Sequence, residues 1–156
     1  MKINLSSLGN YSIPFEQYTH KWIFTDKFGI PATADEKIEI TPLTAEAATF
    51  LWEHEMNKRV QSTPEFFKNE STFESQKADW QAIKNYLFNL EIPPFRKVFV
   101  SSKPDVAFIL TWKLLIKFSQ RIFTESDKAV WDLTLNWKME FDNKGMFTFG
   151  KNFIES

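Results

Sequence analysis

The sequence predicts an α+β fold in which an antiparallel sheet, ending in a C-terminal three-stranded meander, packs against about three amphipathic helices. Two patterns support this: apolar residues recur at helical spacing in three segments, and they alternate with polar residues near the C-terminus. The chain has 156 residues, is 43% hydrophobic and 25% charged, and contains only 4 Gly and 7 Pro. These values are typical of a folded domain, so we expect residues 1–156 to form a single domain.

The first two predicted helices span Ala45–Arg59 and Thr72–Asn89. Thr44 precedes the first helix, and its hydroxyl is of the kind that accepts a hydrogen bond at a helix N-terminus. The second helix starts within the sequence STFE, residues 71–74, which has the spacing of a capping box, and the prolines after Ile92 stop it. One apolar stripe supports the second helix: Phe73, Trp80, Ile83, Leu87 and Leu90.

Strand signals follow at Arg96–Ser102 and Val106–Leu110. The second of these segments is apolar on both faces, which is typical of a central strand. The next segment, Trp112–Phe123, fits a helix better than a strand because its polar residues gather on one arc at about 100° per residue. Thr111 is the predicted cap of this third helix.

Apolar and polar residues alternate from Ala129 to Phe141, with Val130 as the exception. Every odd position from Ala129 to Phe141 is apolar. A strand of that length is unusual, so we expect a break at a loop formed by Thr134–Asn136. A three-residue loop there would place Leu133 opposite Trp137 and keep all the odd positions on one face.

A second hairpin is predicted around the loop Asn143–Gly145. Loops of three residues favour a glycine in the left-handed region at their end, and this loop has one. The loop would set Phe141 opposite Phe147 and Met139 opposite Phe149, so that their side chains share a face. We therefore expect this aromatic ladder to face the core rather than a ligand.

Composition and charge exclude several kinds of partner. The formal net charge is −1, so we do not expect a nucleic-acid partner, which usually selects a basic protein. The chain has 0 Cys, which excludes disulfides, thiolate catalysis and cysteine-based metal sites. No apolar run reaches the roughly 20 residues of a membrane helix, and none at the N-terminus is typical of a secretory signal. We expect a cytoplasmic protein that does not bind a membrane.

No motif for catalysis, a metal or a cofactor emerges from the sequence. The segment beginning at His54 reads H-E-x-x-K, and a protonated lysine cannot replace the second histidine of a zinc site. The 4 Gly match no phosphate-binding pattern. We therefore predict no bound metal or cofactor and favour a protein without enzymatic activity, although residues distant in sequence would leave no such motif.

Two groups of residues are candidates for binding. Lys113, Lys117 and Arg121 recur every four residues on the third predicted helix, within a stretch from Arg96 to Lys128 where seven basic residues outnumber three acidic ones. They would form a docking surface for an acidic protein partner. The alternative is a small-ligand pocket, whose candidate residues are His20, Trp22, Trp52 and Trp112.

Three stretches carry a resemblance to known proteins: HKWIFTD, ITPLTAEAATFLWE, and the tail from Thr111 to Lys151. They resemble a family of small, uncharacterised bacterial proteins known only as a domain of unknown function. The tail is also similar to immunity proteins of bacterial toxin systems. The resemblance implies a soluble bacterial protein and carries no catalytic residue. Our functional hypothesis is a non-enzymatic protein-binding module of immunity or inhibitor type; the alternative is a small-ligand-binding protein or an enzyme with a non-standard site.

Overall fold

The computed structural model describes residues 5–25, 31–61, 71–75, 79–103, 106–123, 127–133 and 137–151. Within them the chain forms one antiparallel sheet of seven strands, with helices on both of its faces. The strands are β1 (Thr41–Pro42), β2 (Ser71–Glu74), β3 (Lys97–Lys103), β4 (Val106–Thr111), β5 (Lys128–Asp132), β6 (Trp137–Phe141) and β7 (Met146–Lys151). The helices are α1 (Trp22–Thr25), α2 (Ala34–Ile38), α3 (Ala45–Gln61), α4 (Trp80–Phe88), α5 (Trp112–Lys117) and α6 (Ser119–Ile122), with 3-10 turns at Leu5–Tyr11 and Phe15–Gln17.

The strand order is β1-β4-β3-β5-β6-β7-β2, and each face of the sheet has its own core. We call the face that carries Met139 and Phe147 the aromatic face, which packs against α4, α5 and α6. The opposite face, which carries Trp131, packs against α3 and is called the α3 face. The predicted α+β fold is confirmed, and among the described residues no helix is long and apolar enough to cross a membrane.

Helix α3 confirms the first predicted helix and extends it to Gln61. The Thr44 hydroxyl accepts a hydrogen bond from the Ala47 amide at 3.2 Å, which satisfies one of the free N–H groups of the first turn. The buried residues of α3 pack on the α3 face of the sheet: Ala47, Ala48 and Leu51.

The second predicted helix is wrong in its first half. Residues Ser71–Glu74 form the edge strand β2, which pairs with β7, and the helix begins only at Trp80. The Asp79 carboxylate caps it by accepting a hydrogen bond from the Ala82 amide at 2.8 Å. The alternative conformation wins because Phe73 stacks on Tyr86 at 4.8 Å and packs against Phe147 from the strand. A four-residue segment with one apolar side chain is compatible with the periodicity of a helix and with that of a strand, so its packing determines which one forms.

The two central strands and the cap of the third helix are confirmed. Strand β4 is buried at every position and lies between β3 and the short β1. The Thr111 hydroxyl accepts a hydrogen bond from the Leu114 amide at 3.3 Å. The predicted single helix is nevertheless interrupted at Phe118, whose φ of −99° and ψ of 15° separate α5 from α6.

The meander is confirmed, and its last hairpin has the predicted register. Phe141 pairs with Phe147 and Met139 pairs with Phe149. Gly145 has a φ of 88°, in the left-handed region that glycine enters without strain. The aromatic ladder is core, because all its members are at most 7% exposed: Trp137, Met139, Phe141, Phe147 and Phe149.

The predicted pairing between β5 and β6 is wrong by one residue. Val130, rather than Trp131, lies opposite Met139, and Trp131 lies opposite Lys138. Alternation along a strand predicts the register only where one face of the sheet is covered. Since α3 covers the other face, Trp131 is buried there at 0% exposure while Val130 packs on the aromatic face. The predicted loop at residues 134–136 lies outside the described residues.

Candidate protein-binding surface

The four candidate pocket residues are not brought together. Trp112 is 1% exposed and packs edge-on against Trp137 at 5.6 Å on the aromatic face, so it is a core residue that offers no open surface to a ligand. Trp52 is half-buried on α3, which covers the opposite face of the sheet. His20 is half-buried beside Tyr18, with ring centroids 5.7 Å apart. Trp22, two residues further, is 47% exposed. The side chain of His54 lies outside the described residues.

The three basic residues of the predicted stripe have different surroundings. Lys117 donates two hydrogen bonds to the Glu36 carboxylate, at 2.6 Å to Oε1 and 2.8 Å to Oε2. Arg121 is half-buried and lies on α6, beyond the break at Phe118. Lys113 is exposed and makes no ion pair with any residue in the described part of the chain. The stripe is therefore not one row of solvated cations, and Lys113 is its exposed member.

Glu36 is built into the fold on both sides. The Thr33 side chain accepts from the Glu36 amide, and the Glu36 carboxylate accepts from the Thr33 amide, which completes a capping box at the start of α2. Burial raises the pKa of Glu36, but hydrogen bonds from Lys117 and Thr33 outweigh it and hold the pKa below its usual value of 4.5. The Lys117–Glu36 pair therefore joins α2 to α5.

A tight turn holds an exposed aromatic residue against the start of α5. The Arg96 amide donates to the Pro93 carbonyl at 3.1 Å, which closes the turn. The amides of Trp112 and Lys113 then donate to the carbonyls of Arg96 and Pro94, at 2.7 and 2.8 Å. These bonds fix both sides of the intervening residue, Phe95, which is 72% exposed.

Two basic residues lie next to Phe95: Lys113 lies near its ring, and Arg96 follows it in the chain. The Lys113 ammonium lies 6.0 Å from the centroid of the Phe95 ring, at the outer limit of a cation–π contact. Arg96 Nη1 lies 3.3 Å from the Asp132 carboxylate, which is 0% exposed, while the Arg96 side chain is 41% exposed. We call Pro94, Phe95, Arg96 and Lys113 the Phe95 surface.

Sequence reasoning identified Lys113 but missed Phe95 and Arg96. The prolines before Phe95 were informative only as the end of a helix. They also signal a rigid turn, since their φ angles are fixed, and a phenylalanine between such a turn and a basic residue is a detectable pattern. The pairing of Arg96 with Asp132, 36 residues away, has no local signal.

The fold and this surface together define an α+β protein that presents a rigid aromatic and basic surface beside its sheet. Residues 12–91, about half of the chain, match the family described as a protein of unknown function, DUF2947, and the chain belongs to this family. Neither a curated protein nor a solved structure matches the chain. The expectation of a domain of unknown function is confirmed. The Phe95 surface lies beyond the matched residues, so the match carries no information about it.

Proposed function

We propose that this protein is a non-enzymatic binding module of immunity or inhibitor type that docks an acidic protein partner on the Phe95 surface. The observation that carries the proposal is the 72% exposure of Phe95 on a turn fixed by backbone hydrogen bonds. In the same proposal the protein is bacterial, acts in the cytoplasm as a single domain, and does not use a nucleic-acid partner.

The rigidity of the turn supports binding. An aromatic ring left in water loses the free energy that burial would contribute, and a partner that covers it gains about 1.5–3 kcal/mol. Because the backbone on both sides of Phe95 is already fixed, little further conformational entropy is lost on association. Aromatic residues and arginine are also the side chains that most often dominate interface free energies.

The local charge supports an acidic partner. Lys113 has no ion-pair partner in the described segments, whereas the neighbouring Lys117 is neutralised by Glu36. An unpaired cation beside an aromatic ring attracts carboxylates and raises the rate of association with an acidic surface. The net charge of −1 opposes non-specific attraction to polyanions, which leaves this local field as the relevant one.

The proposal is tested by quantitative affinity purification from the native host with three baits. Phe95→Ala removes the exposed ring, and Ile38→Ala removes an apolar side chain of similar exposure, 80%, on α2. We expect a stoichiometric partner with the natural chain and with Ile38→Ala, and at least a tenfold loss with Phe95→Ala, as for an interface hot spot. A partner retained equally by all three baits would show that the Phe95 surface is not the docking site.

A small-ligand site is the second candidate, supported by Trp22 and His20. An indole that is 47% exposed beside a half-buried imidazole offers a stacking plane and a hydrogen-bonding group. Thermal unfolding across a panel of metabolites, with Trp22→Ala as the control, tests it. A stabilisation that the control abolishes would favour this candidate, and a flat response would remove it.

A further inference from the structure

We propose that Arg96 is the carboxylate receptor of this surface, and that its ligand is an Asp or Glu side chain lying beside an apolar residue of a partner protein. This inference rests on the proposed function and specifies the chemistry of the partner. It assigns a binding role to a residue that the stripe of basic residues on the third predicted helix did not include.

The position of the Arg96 guanidinium supports this role. Its Nη1 donates to both oxygens of the Asp132 carboxylate, at 3.4 and 3.3 Å, which orients the planar group. The remaining N–H groups of Arg96 make no hydrogen bond to a residue that the structure describes, and the side chain is 41% exposed. A guanidinium fixed at one nitrogen presents its other donors in the fork that matches a carboxylate.

Arg96 and Lys113 have different electrostatic roles because only Arg96 has a carboxylate partner, Asp132, among the described residues. The buried Asp132 carboxylate forms an ion pair with Arg96, so we assign to Arg96 directed hydrogen bonds more than net attraction. Lys113 has no such counter-ion among the described residues and supplies the positive charge. A partner carboxylate would therefore gain geometry from Arg96 and long-range attraction from Lys113.

The backbone favours a side-chain carboxylate over a chain terminus or a phosphate. Terminal carboxylates and phosphates are usually captured by several successive free N–H groups. Here the amides of Arg96, Trp112 and Lys113 already donate to carbonyls, and Pro94 has no N–H. These residues therefore offer no run of successive free N–H groups, so we assign the recognition of an anion to side chains.

The exposed ring determines the second feature of the ligand. Phe95 and Arg96 are consecutive residues of the turn that the Arg96 amide closes on the Pro93 carbonyl. We infer from this adjacency that a segment bound to the guanidinium also reaches the ring. An apolar side chain next to the acidic residue would cover Phe95, while a polar neighbour would leave the ring in water. The expected determinant is a carboxylate with an adjacent apolar side chain.

The experiment selects binders to the full chain from a displayed library of random peptides. We expect the enriched peptides to share an Asp or Glu beside an apolar residue. Binding of one selected peptide is then titrated against Phe95→Ala, Arg96→Lys, Lys113→Gln and Lys144→Gln. Lys144 is the matched control, an exposed lysine in the loop between β6 and β7.

Arg96→Lys keeps a positive charge beside Asp132 but removes the fork, so we expect about tenfold weaker binding. Replacing the peptide carboxylate by its amide should give a similar loss in the natural chain and little further loss in Arg96→Lys. Lys144→Gln should bind as the natural chain does. Arg96→Gln leaves the buried Asp132 without its arginine and is used only if circular dichroism shows that it folds.

The two proposals fail in different ways. If selected peptides need Phe95 but carry no acidic residue, or bind Arg96→Lys unchanged, the carboxylate receptor is wrong while protein binding stands. If no selected peptide depends on Phe95, the proposed function itself is overturned. A loss with Lys113→Gln alone would assign the anion to Lys113 and also contradict the role of Arg96.

Discussion

The two ends of α5 each pair a lysine with a phenylalanine, and they put the pair to opposite uses. At the start of the helix, Lys113 lies 6.0 Å from the ring of Phe95, which is 72% exposed. At the end, Lys117 lies 5.4 Å from the ring of Phe118, which is 5% exposed. The same two residue types thus form a surface at one end and a junction with the core at the other.

The difference comes from what else each pair contacts. Phe118 packs edge-on against Phe24 at 5.1 Å, and Lys117 is bound to Glu36 of α2. Phe95 has backbone restraints but little cover for its ring, and Lys113 has no ion pair in the described residues. Lys113 attracts a partner by its charge and Lys117 does not, because Glu36 neutralises Lys117; the spacing of the two lysines in the sequence does not show this difference.

The largest expected effect is the difference in unfolding free energy between the Phe118→Ala and Phe95→Ala variants. Phe118→Ala should lower the free energy of unfolding by about 3–5 kcal/mol, because it removes a buried ring and leaves a cavity. Phe95→Ala should change it by less than about 0.5 kcal/mol, since the exposed ring contributes little packing. Urea unfolding followed by Trp fluorescence measures both. Comparable losses of unfolding free energy from the two variants would mean that Phe95 is a core residue, which contradicts the contrast drawn between the two ends of α5.

Replacing Lys117 should also lower the unfolding free energy more than replacing Lys113, but by a smaller amount than for the two phenylalanines. Lys117→Met removes two charge-assisted hydrogen bonds to Glu36 and should cost about 1–2 kcal/mol of unfolding free energy. Lys113→Met should be neutral within about 0.5 kcal/mol. Methionine keeps the length of the apolar stem in both variants, so the comparison isolates the ammonium. A neutral Lys117→Met would show that the pair with Glu36 adds nothing to stability.

The fold was predictable where periodicity and turn chemistry agree. Helix α3 has a cap, an apolar stripe and a single reading, and the β6–β7 hairpin is determined by the glycine at residue 145. The β5–β6 register was not predictable from parity, because both sheet faces are covered and Trp131 was free to face α3. The strand at residues 71–74 depends on Phe73 meeting Tyr86, which no local pattern contains.

The candidate site was predictable only in part. Helical spacing identified Lys113 but could not show that Lys117 has a counter-ion, because Glu36 is 81 residues away in sequence. The same limit applied to Arg96 and Asp132. Local sequence indicates which charges share a helix face, whereas the fold decides which of them are neutralised.

The pH dependence of stability should single out the Lys117 end. The folded pKa of Glu36 lies below its usual value of 4.5, so its contribution is present above 4.5 and is lost as pH falls through the folded pKa. Unfolding free energies of the natural chain and Glu36→Gln, measured from pH 7 downward, should converge below pH 4.5. Glutamine can still serve the capping box, which restricts the change to the charge. Parallel curves for the two proteins would contradict the assignment.

The smallest expected effect is the contribution of the Lys113–Phe95 contact to the free energy of unfolding. A double-mutant cycle with Phe95→Ala and Lys113→Met should give a coupling free energy of at most about 0.5 kcal/mol, because the ammonium is exposed and lies at the limit of cation–π range. The equivalent cycle for Lys117 and Glu36 is the positive control and should give a larger value. Near-zero coupling would mean that the contact between Lys113 and Phe95 does not stabilise the fold, as expected for a surface whose contacts are completed by a partner. A coupling as large as that of the control would instead show that Lys113 and Phe95 stabilise the fold together, which contradicts a role of this pair in binding alone.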